Sequence, residues 1–174
     1  MTTPPDRILG QGRFLALLDR GGWEFVSRRS TREVVGIVAW TADDRLLLVE
    51  QDRPAVGGRT IELPAGLVGD EPDTGAIDTI ESAASRELLE ETGHVADSFE
   101  PLWRGAASAG LTDEMVTLVV ARGLRKVAAG GGVGSERIVV HAVPRPNLRR
   151  WLEERGREGL VLDIKVGLAL AVER

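Results

Sequence analysis

The sequence predicts a mixed α/β (α+β) domain, because strand-like runs dominate it and one long helical segment interrupts them. Residues 34–40 are a nearly continuous apolar run, which is typical of a strand buried on both faces, and residues 45–51 are predicted as the next strand after a turn. Residues 78–92 have helical spacing and end before Gly93, the residue type favoured just after a helix. Two further helices are predicted at the carboxyl end, a polar one over residues 147–156 and an apolar one over residues 161–172.

The composition fits a folded domain whose chemistry depends on carboxylates, arginines and bound ions. Of the 174 residues, 43% are hydrophobic and 28% are charged, which is enough apolar content for a packed core. The net charge of −5 disfavours a nucleic-acid partner, and the absence of cysteine excludes disulfides and a thiolate nucleophile. No apolar run is long enough to span a membrane and residues 1–10 lack a signal core, so we expect no membrane partner and a cytoplasmic location.

The amino-terminal residues predict a small β-hairpin subdomain over residues 1–33, followed by the main domain over residues 34–174. Residues 1–12 have the Pro and Gly content of a loose lead-in. Two apolar-rich runs then flank an Asp-Arg-Gly-Gly turn, which is a hairpin signal. The other predicted segments are strands over residues 60–63, 98–104, 115–122 and 137–143, a loop over residues 66–77 and a flexible glycine loop over residues 130–132.

The central helix carries acidic residues on the face that should point into the core. At about 100° per residue, Ile80, Ala84 and Leu88 form an apolar stripe. Glu87 and Glu91 fall inside this stripe, and Glu90 lies beside it. Buried carboxylates without partners cost several kcal/mol, and repulsion at i,i+4 adds to that cost. A divalent metal ion satisfies several carboxylates at once and still has room for a phosphate ligand.

Two structural alternatives remain open for this helix. Its three glutamates fit a solvated face, as most charge runs do, and Arg86 can neutralise one of them. Asp78 fits the N-cap position, with Glu81 at the capping-box spacing.

The end of this helix resembles a known catalytic motif. Residues 86–93 read Arg-Glu-Leu-Leu-Glu-Glu-Thr-Gly, which is similar to the end of the Nudix box, Arg-Glu-(apolar)-x-Glu-Glu-x-Gly-(apolar). The sequence departs from the box where His94 replaces the last apolar residue and where Asp78 stands in place of Glu at the helix start. Eleven residues separate Gly66 from Asp78 instead of five, which implies a six-residue insertion in the loop before the helix.

Segments outside the box resemble the ADP-ribose pyrophosphatase and nucleoside-diphosphate-sugar branch of the Nudix family. They are residues 51–56, 61–66, 110–114 and 136–140, so the similarity covers roughly residues 23–172. The resemblance implies the Nudix fold, a mixed β-sheet between helices, and hydrolysis of a diphosphate bond. The implied cofactor is Mg²⁺ or Mn²⁺, two or more ions, and the implied substrate is a small nucleoside diphosphate.

The same resemblance implies a role for each site residue. The implied metal ligands are Glu87, Glu90, Glu91 and the carbonyl of Ala65, with Arg86 orienting the acids. Glu136 is the implied general base, with Glu114 and Glu91 as rivals. The implied substrate-binding residues are Arg53, Glu62, Arg28 and Trp23. The structural alternatives are that Glu136 only starts a strand, that Arg53 is a solvated loop residue and that Trp23 is a core or dimer contact.

The amino-terminal hairpin resembles the subdomain through which family members form dimers, so we expect a homodimer. Two other functions remain open: a non-catalytic Nudix-fold module that binds a nucleotide, and a hydrolase of nucleotide or dinucleoside polyphosphates. The intact metal acids weigh against the first, and Arg53 with Thr112-Asp113-Glu114 weighs against the second.

Overall fold

The computed structural model describes residues 4–31, 33–69, 78–134 and 136–172. The strands are β1 (Arg7–Gln11), β2 (Leu15–Arg20), β3 (Trp23–Arg28), β4 (Glu33–Ala39), β5 (Arg45–Arg53), β6 (Gly58–Glu62), β7 (Ala65–Leu67), β8 (His94–Val95), β9 (Ser98–Ala106), β10 (Met115–Arg122), β11 (Arg125–Lys126), β12 (Val139–Pro144) and β13 (Val161–Leu162). The helices are α1 (Ile80–Thr92), α2 (Leu148–Arg157) and α3 (Ile164–Val172). Among the helices of these described ranges, none is long and apolar enough to cross a membrane.

The amino-terminal residues form a three-stranded antiparallel sheet in the order β1-β2-β3. The predicted hairpin is confirmed as β2 and β3, and its turn places Gly21 and Gly22 at positive φ, where a side chain would be strained. The prediction of a loose lead-in was wrong, because β1 pairs with β2 along its whole length. The sequence concealed β1 because all five of its residues are exposed and its pairing shifts register between Ile8 and Gly10.

Two four-stranded sheets form the body of the domain. One has the order β7-β4-β10-β9, with β4 and β10 parallel, and the other has the order β12-β5-β6-β13. The strands predicted in this region are confirmed within a few residues. Four short strands were missed: β7 lies largely in the predicted loop, β13 occupies the start of the predicted last helix, and β8 and β11 pair with each other in a two-stranded sheet. Val161 and Leu162 pair in parallel with Thr60 and Ile61, and this pairing delays the helix to Ile164.

The sheets lie between α1 on one side and α2 with α3 on the other, as the Nudix resemblance predicted. Ala83, Ala84 and Leu88 of α1 pack on one side of β4 against Val35 and Ile37. On the opposite side, the α2 residues Leu148 and Leu152 and the α3 residues Val166 and Ala169 pack against sheet residues that include Val38, Leu46 and Leu48. Alternate residues of β4 therefore belong to different cores, which explains why that strand is apolar throughout.

The N-cap of helix α1 lies one residue later than predicted. Thr79 is the N-cap: its side chain accepts from the Ser82 amide, and the Ser82 side chain accepts from the Thr79 amide in return. The prediction that Asp78 and Glu81 form the capping box was therefore wrong. Asp78 instead braces the loop to the helix, because it accepts from the Gly69 amide at 2.8 Å and from the Ser82 hydroxyl at 2.5 Å. Residues 70–77, where most of the predicted insertion falls, lie outside the described residues.

The carboxyl end of α1 explains why a histidine stands at an apolar position of the box. Gly93 ends the helix at φ 72°, as predicted. His94 follows with only 8% of its surface exposed, and its Nδ1 lies 3.0 Å from the Thr92 carbonyl. Burial lowers the pKa of His94, which favours the neutral ring. A neutral, hydrogen-bonded imidazole fills the apolar position without placing a charge in the core.

Candidate active site

A cavity of about 590 Å³ opens beside α1, β5, β6 and β7, and it contains most of the residues that the sequence singled out. The predicted site residues that line it are Arg28, Arg53, Glu62, Ala65, Glu87, Glu91, Glu114 and Glu136. Arg86, Glu90 and Trp23 do not line it. Four further polar residues line it without having been predicted, namely Gln51, Thr60, Asp163 and Lys165.

Glu91 is the most deeply buried acid on the α1 side of the cavity. Only 5% of its surface is exposed, and its Oε2 accepts a hydrogen bond from the Ala65 amide at 3.1 Å. Burial raises the pKa of Glu91 to about 8; the Ala65 amide opposes this rise, and the charge of Glu87 adds to it. The chain thus holds a carboxyl group at the cavity wall that lacks enough positive charge to ionise easily.

Glu87 lies one helical turn before Glu91 and directly against β7. A Cβ atom on Gly66 would lie 2.0 Å from the Glu87 carboxyl group, so a side chain at position 66 would displace this acid. Arg86 is ion-paired with Glu87 and donates to the Leu67 carbonyl at 3.1 Å. Burial raises the pKa of Glu87, although the Arg86 charge opposes the rise. Arg86 thus connects Glu87 of α1 with Leu67 of β7, and the orienting role predicted for it stays a prediction.

Glu90 is half-buried, and its side chain is not part of the cavity wall. Its charge is nevertheless close enough to Glu87 to contribute to the raised pKa of that residue. Across the described ranges, no group of three or more acidic, histidine or cysteine side chains already stands in a metal-binding arrangement. Glu87 is engaged by Arg86 and Glu91 by the Ala65 amide, so an incoming ion would have to compete with these contacts.

Arg53 of β5 and Glu62 of β6 form a bidentate ion pair in the cavity lining, with N–O distances of 2.7 and 2.8 Å. The Thr60 hydroxyl also donates to Glu62 at 2.5 Å. Burial of Glu62 opposes ionisation, but the hydrogen bonds from Arg53 and Thr60 outweigh it and lower the pKa of this carboxyl. The Arg53 side chain remains 46% exposed, so its guanidinium is accessible from the cavity.

The amino-terminal sheet reaches the cavity through Arg28 and Glu114. Arg28 Nε donates to Glu114 Oε2 at 2.5 Å, and the neighbouring Ser27 hydroxyl donates to Asp113 at 3.1 Å. The backbone continues this contact, because the Val26 amide donates to the Leu111 carbonyl at 2.8 Å. Residues 110–114, which the sequence linked to the site, are thus the docking surface for the amino-terminal sheet on the main domain.

Glu136 lies on an exposed loop that is tied to the end of α1. The Gly131 amide donates to the Glu91 carbonyl at 2.8 Å, and the Gly132 amide donates to the Glu90 carbonyl at 3.0 Å. The Val133 amide donates to Glu136 Oε2 at 2.9 Å. The sequence predicted flexible hinge glycines here, whereas these backbone contacts hold the loop to the helix that carries the acids.

Trp23 lies outside the main cavity. It is 63% exposed and lines a separate pocket of about 460 Å³ with Arg20, Phe25, Thr112 and Asp113. The Arg20 guanidinium stacks on the Phe25 ring at 4.7 Å. Within one chain, the structure therefore does not bring Trp23 together with the acids of α1.

Asp163 and Lys165 were missed because they are far in sequence from the motif. Asp163 follows β13, and its amide donates to the Ile61 carbonyl at 2.9 Å, which holds it beside Glu62. Lys165 Nζ pairs with Asp163 Oδ2 at 2.6 Å. An Asp two residues before a Lys at a helix start indicates a cap, but only the parallel pairing of β13 with β6 shows which wall they join.

The charges around the cavity favour a bound cation. Its lining includes the six carboxylates of Glu62, Glu87, Glu91, Glu114, Glu136 and Asp163, and the three cations of Arg28, Arg53 and Lys165. Each of the three cations is paired with a carboxylate other than Glu87, Glu91 or Glu136. Glu87, paired with Arg86 from outside the cavity wall, Glu91 and Glu136 therefore offer oxygen ligands of the kind that Mg²⁺ and Mn²⁺ prefer, so these residues fit a divalent metal ion.

Comparison with known families identifies the fold and the motif. The sequence profile of the NUDIX domain matches residues 30–131, which include β4 to β7, α1 and the docking segment 110–114. The chain belongs to the Nudix family. The family predicted from the helix motif is thus confirmed, and the matched range carries all of the predicted site residues except Trp23, Arg28 and Glu136.

Characterised Nudix relatives share about a third of the matched residues. A methanol dehydrogenase activator of Bacillus methanolicus is 34% identical over 107 residues, which is 60% of this chain and 54% of the relative. An ADP-ribose pyrophosphatase of Mycobacterium tuberculosis is 38% identical over 106 residues, which is 56% of this chain and 47% of the relative. The mouse ADP-sugar pyrophosphatase is 34% identical over 137 residues, covering 72% and 59% of the two chains. The chain thus spans about half the length of the curated relatives it matches.

A solved structure confirms the Nudix fold. The crystal structure of an ADP compounds hydrolase superposes with a TM-score of 0.67, covering 87% of this chain and 82% of the other at 22% identity. At this identity, the similarity establishes the shared architecture alone.

Proposed function

We propose that this chain hydrolyses the diphosphate bond of ADP-ribose or of a related nucleoside-diphosphate sugar, giving a nucleoside monophosphate and a sugar phosphate. The observation that carries the proposal is the cavity in which the acids of α1 face Arg53, Arg28 and Glu136. Relatives named ADP-ribose pyrophosphatase and ADP-sugar pyrophosphatase support the substrate class.

Mg²⁺ or Mn²⁺, two or more ions, would be held by Glu87, Glu90, Glu91 and the carbonyl of Ala65. Two of these acids have raised pKa values, as expected for carboxylates that await a cation. Such ions, when bound, neutralise the diphosphate and make a water molecule more acidic. Gly66 lets the Glu87 carboxyl group lie directly against β7, next to Ala65, whereas Glu90 would have to turn towards the cavity to bind the same ions.

Glu136 is the general base in this proposal. Its Oε2 accepts the Val133 amide while the side chain faces the cavity, so its other oxygen can accept the proton of the attacking water. The water oxygen bonds to one phosphorus, and the bond from that phosphorus to the bridging oxygen breaks. Glu114 is a weaker candidate because Arg28 holds it at 2.5 Å, and Glu91 because the Ala65 amide and the metal ions engage it.

Arg53 and Arg28 supply positive charge for the two phosphates. Arg53 presents a planar guanidinium that Glu62 holds in place by two hydrogen bonds, a geometry suited to phosphate oxygens.

Trp23 contributes to the nucleoside pocket only if a second chain brings it to the cavity, which links this assignment to the proposed homodimer. The apolar residues Ile8, Phe14 and Trp23 are more than half exposed on the amino-terminal sheet, and burying them favours association. Light scattering coupled to size-exclusion chromatography tests the dimer, and a monomer at all concentrations contradicts it.

A nucleotide-binding regulatory role is the second candidate. It is favoured by the relative named methanol dehydrogenase activator, which matches this chain at 34% identity. Hydrolysis of nucleotides or dinucleoside polyphosphates is a third candidate within the same mechanism. A cytoplasmic location and the lack of a nucleic-acid partner stay predictions.

A product-resolved hydrolysis panel with Mg²⁺ tests the proposal. The substrates are ADP-ribose, ADP-glucose, GDP-mannose, UDP-glucose, ATP and a dinucleoside polyphosphate, each with the wild-type chain and with Glu91→Gln. We expect AMP and ribose 5-phosphate from ADP-ribose, and their loss in the variant. Turnover of ATP or the dinucleoside polyphosphate alone selects the third candidate. Binding of ADP-ribose by a folded chain without turnover selects the regulatory role.

A further inference from the structure

Lys165 reaches the catalytic cavity from a part of the chain that lies outside the matched Nudix range of residues 30–131. The parallel pairing of β13 with β6 places Asp163 beside Ile61, and Lys165 follows on the first turn of α3. Its side chain is 19% exposed. The cavity thus has a third cation, contributed by the carboxyl-terminal part of the chain.

The Lys165 stem passes over a glycine in the centre of the sheet. A Cβ atom on Gly36 would lie 3.8 Å from Lys165 Cδ, so the stem occupies the space above this part of β4. Gly36 pairs with Ala65, the residue whose amide holds Glu91. Lys165 is therefore held close to the strand that supports the α1 acids, on the same cavity.

The contacts of Asp163 leave the ammonium group exchangeable. Asp163 Oδ1 accepts the Lys165 amide at 2.7 Å and so caps α3, while Oδ2 accepts the Lys165 ammonium at 2.6 Å. The cap and the ion pair use different oxygens, so an incoming anion can take over the ammonium without undoing the helix start. Glu62, in contrast, binds Arg53 with both oxygens and also accepts from Thr60.

We propose that Lys165 binds a phosphate of the substrate, and that Asp163 occupies the ammonium until the substrate displaces it. This assignment rests on the proposed function, since it names a diphosphate-binding residue of the same cavity. Lysine is a strong point-charge partner for phosphate. A diphosphate carries more charge than the single Asp163 carboxylate and therefore competes for the ammonium.

The test compares Lys165→Met, Lys165→Arg and Asp163→Asn in the full chain. Methionine keeps an aliphatic stem without the charge, and arginine restores the charge. Asparagine removes the competing charge but remains a good N-cap, so the start of α3 is preserved. Calorimetric titration with pyrophosphate in the presence of Mg²⁺ gives the affinity, ADP-ribose turnover gives KM and kcat, and thermal unfolding reports the fold.

We expect Lys165→Met to weaken pyrophosphate binding and to raise KM by about ten-fold or more, because a charge-assisted contact is lost. Lys165→Arg should restore most of the affinity. Asp163→Asn should change the affinity in the opposite direction and bind pyrophosphate several-fold more tightly, by the same competition. Opposite changes of pyrophosphate affinity in Lys165→Met and Asp163→Asn distinguish a carboxylate that the substrate displaces from a purely structural ion pair.

Three results overturn the assignment. The first is an unchanged pyrophosphate affinity in Lys165→Met, and the second is a wild-type chain that binds no pyrophosphate. The third is a parallel loss of affinity and thermal stability in Lys165→Met and Asp163→Asn, which marks a structural pair. A wild-type chain that binds pyrophosphate but hydrolyses no substrate overturns only the proposed function, because the affinities still report on Lys165.

Discussion

Glu91 and Glu62 face the same cavity and are buried almost equally, with 5% and 4% of their surfaces exposed, yet their pKa values move in opposite directions. Burial raises the pKa of Glu91 to about 8 because one backbone amide is its main compensation. Burial acts on Glu62 in the same sense, but Arg53 and Thr60 outweigh it and lower the pKa of that carboxyl. The direction of the pKa shift of each carboxyl group is thus decided by its hydrogen-bond and ion-pair partners, and not by how deeply it is buried.

This difference separates two kinds of buried acid. A buried acid that is paired with a side-chain cation of the protein has a structural role, because it fixes that cation in a defined geometry. An acid without one is costly to the fold and is suited to bind a cation from solution. In the proposed function, Glu62 therefore holds Arg53 in place for the substrate, and metal binding at Glu91 would offset the cost of burying that acid.

The largest expected effect is on turnover in Glu91→Gln. Loss of a metal-binding carboxylate should reduce kcat with ADP-ribose on the order of 10³-fold, because metal ions contribute several kcal/mol to charge stabilisation. Steady-state kinetics with saturating Mg²⁺ measures it, with circular dichroism as the control for folding. Retention of more than a tenth of the activity would contradict the metal assignment.

Stability should change in opposite directions in Glu91→Gln and Glu62→Gln. The raised pKa of Glu91 means that the folded chain binds more protons than the unfolded chain between the ordinary value of 4.5 and about 8. The metal-free wild type should thus lose stability relative to Glu91→Gln as the pH rises through this window, by about 2 kcal/mol or more.

For Glu62 the sign is reversed, since its lowered pKa contributes stability above the ordinary value and this contribution is lost as the pH falls. Glu62→Gln should cost about 1–2 kcal/mol at pH 7, less than for a fully buried pair because Arg53 is 46% exposed. Urea unfolding at several pH values measures both variants. Destabilisation of the same size in both variants would contradict the opposite effects of Glu91 and Glu62 on stability.

Gly132→Ala tests whether the tied loop positions Glu136. A Cβ atom on Gly132 would lie 2.7 Å from the Glu136 Cβ, so the acid must move. Gly134→Ala is a matched control, because Gly134 also has positive φ but a Cβ there meets no atom within 4 Å. We expect kcat to fall about ten-fold more in Gly132→Ala than in the control, as for displacement of a general base, with KM little changed. Equal kcat values would place Glu136 outside the reaction.

Thr79→Ala should have the smallest effect on stability, because it changes the α1 cap and leaves Glu91 and Glu62 in place. The loss of the α1 cap should cost about 1 kcal/mol of stability. Glu81→Ala serves as the control, since Glu81 is not the capping partner. Urea unfolding measures both variants, and a larger loss in Glu81→Ala would restore the capping box predicted from the sequence.

The sequence predicted the site best where the chemistry is local. Glu87 and Glu91 lie within one helix that ends before Gly93, and its periodicity alone predicted that both acids lie on the inward face. The cap was misassigned by one residue because Asp78 and Thr79 are both good N-cap residues, and the Ser82 side chain decided between them. Arg53 and Glu62 were predicted by resemblance, although their mutual pairing was not.

The missed features depend on contacts between distant segments. Lys165 enters the cavity because β13 pairs with β6, about a hundred residues earlier in the chain, and two exposed residues give little strand signal. β1 was missed for the same reason, since its five exposed residues are recognisable only by their pairing with β2. The loop at Gly131 was predicted to be flexible because its anchor, the end of α1, precedes it by about forty residues.

The central claim is tested most directly by the effect of Mn²⁺ on the free energy of unfolding at pH 8, in the wild type, Glu91→Gln and Glu62→Gln. We expect Mn²⁺ to stabilise the wild type and Glu62→Gln by similar amounts and to leave Glu91→Gln unaffected, because within the described part of the chain Glu91, unlike Glu62, has no side-chain cation as its hydrogen-bond partner. Equal stabilisation of the wild type and Glu91→Gln would contradict it, and the raised pKa of Glu91 would then be a cost of burial without a function.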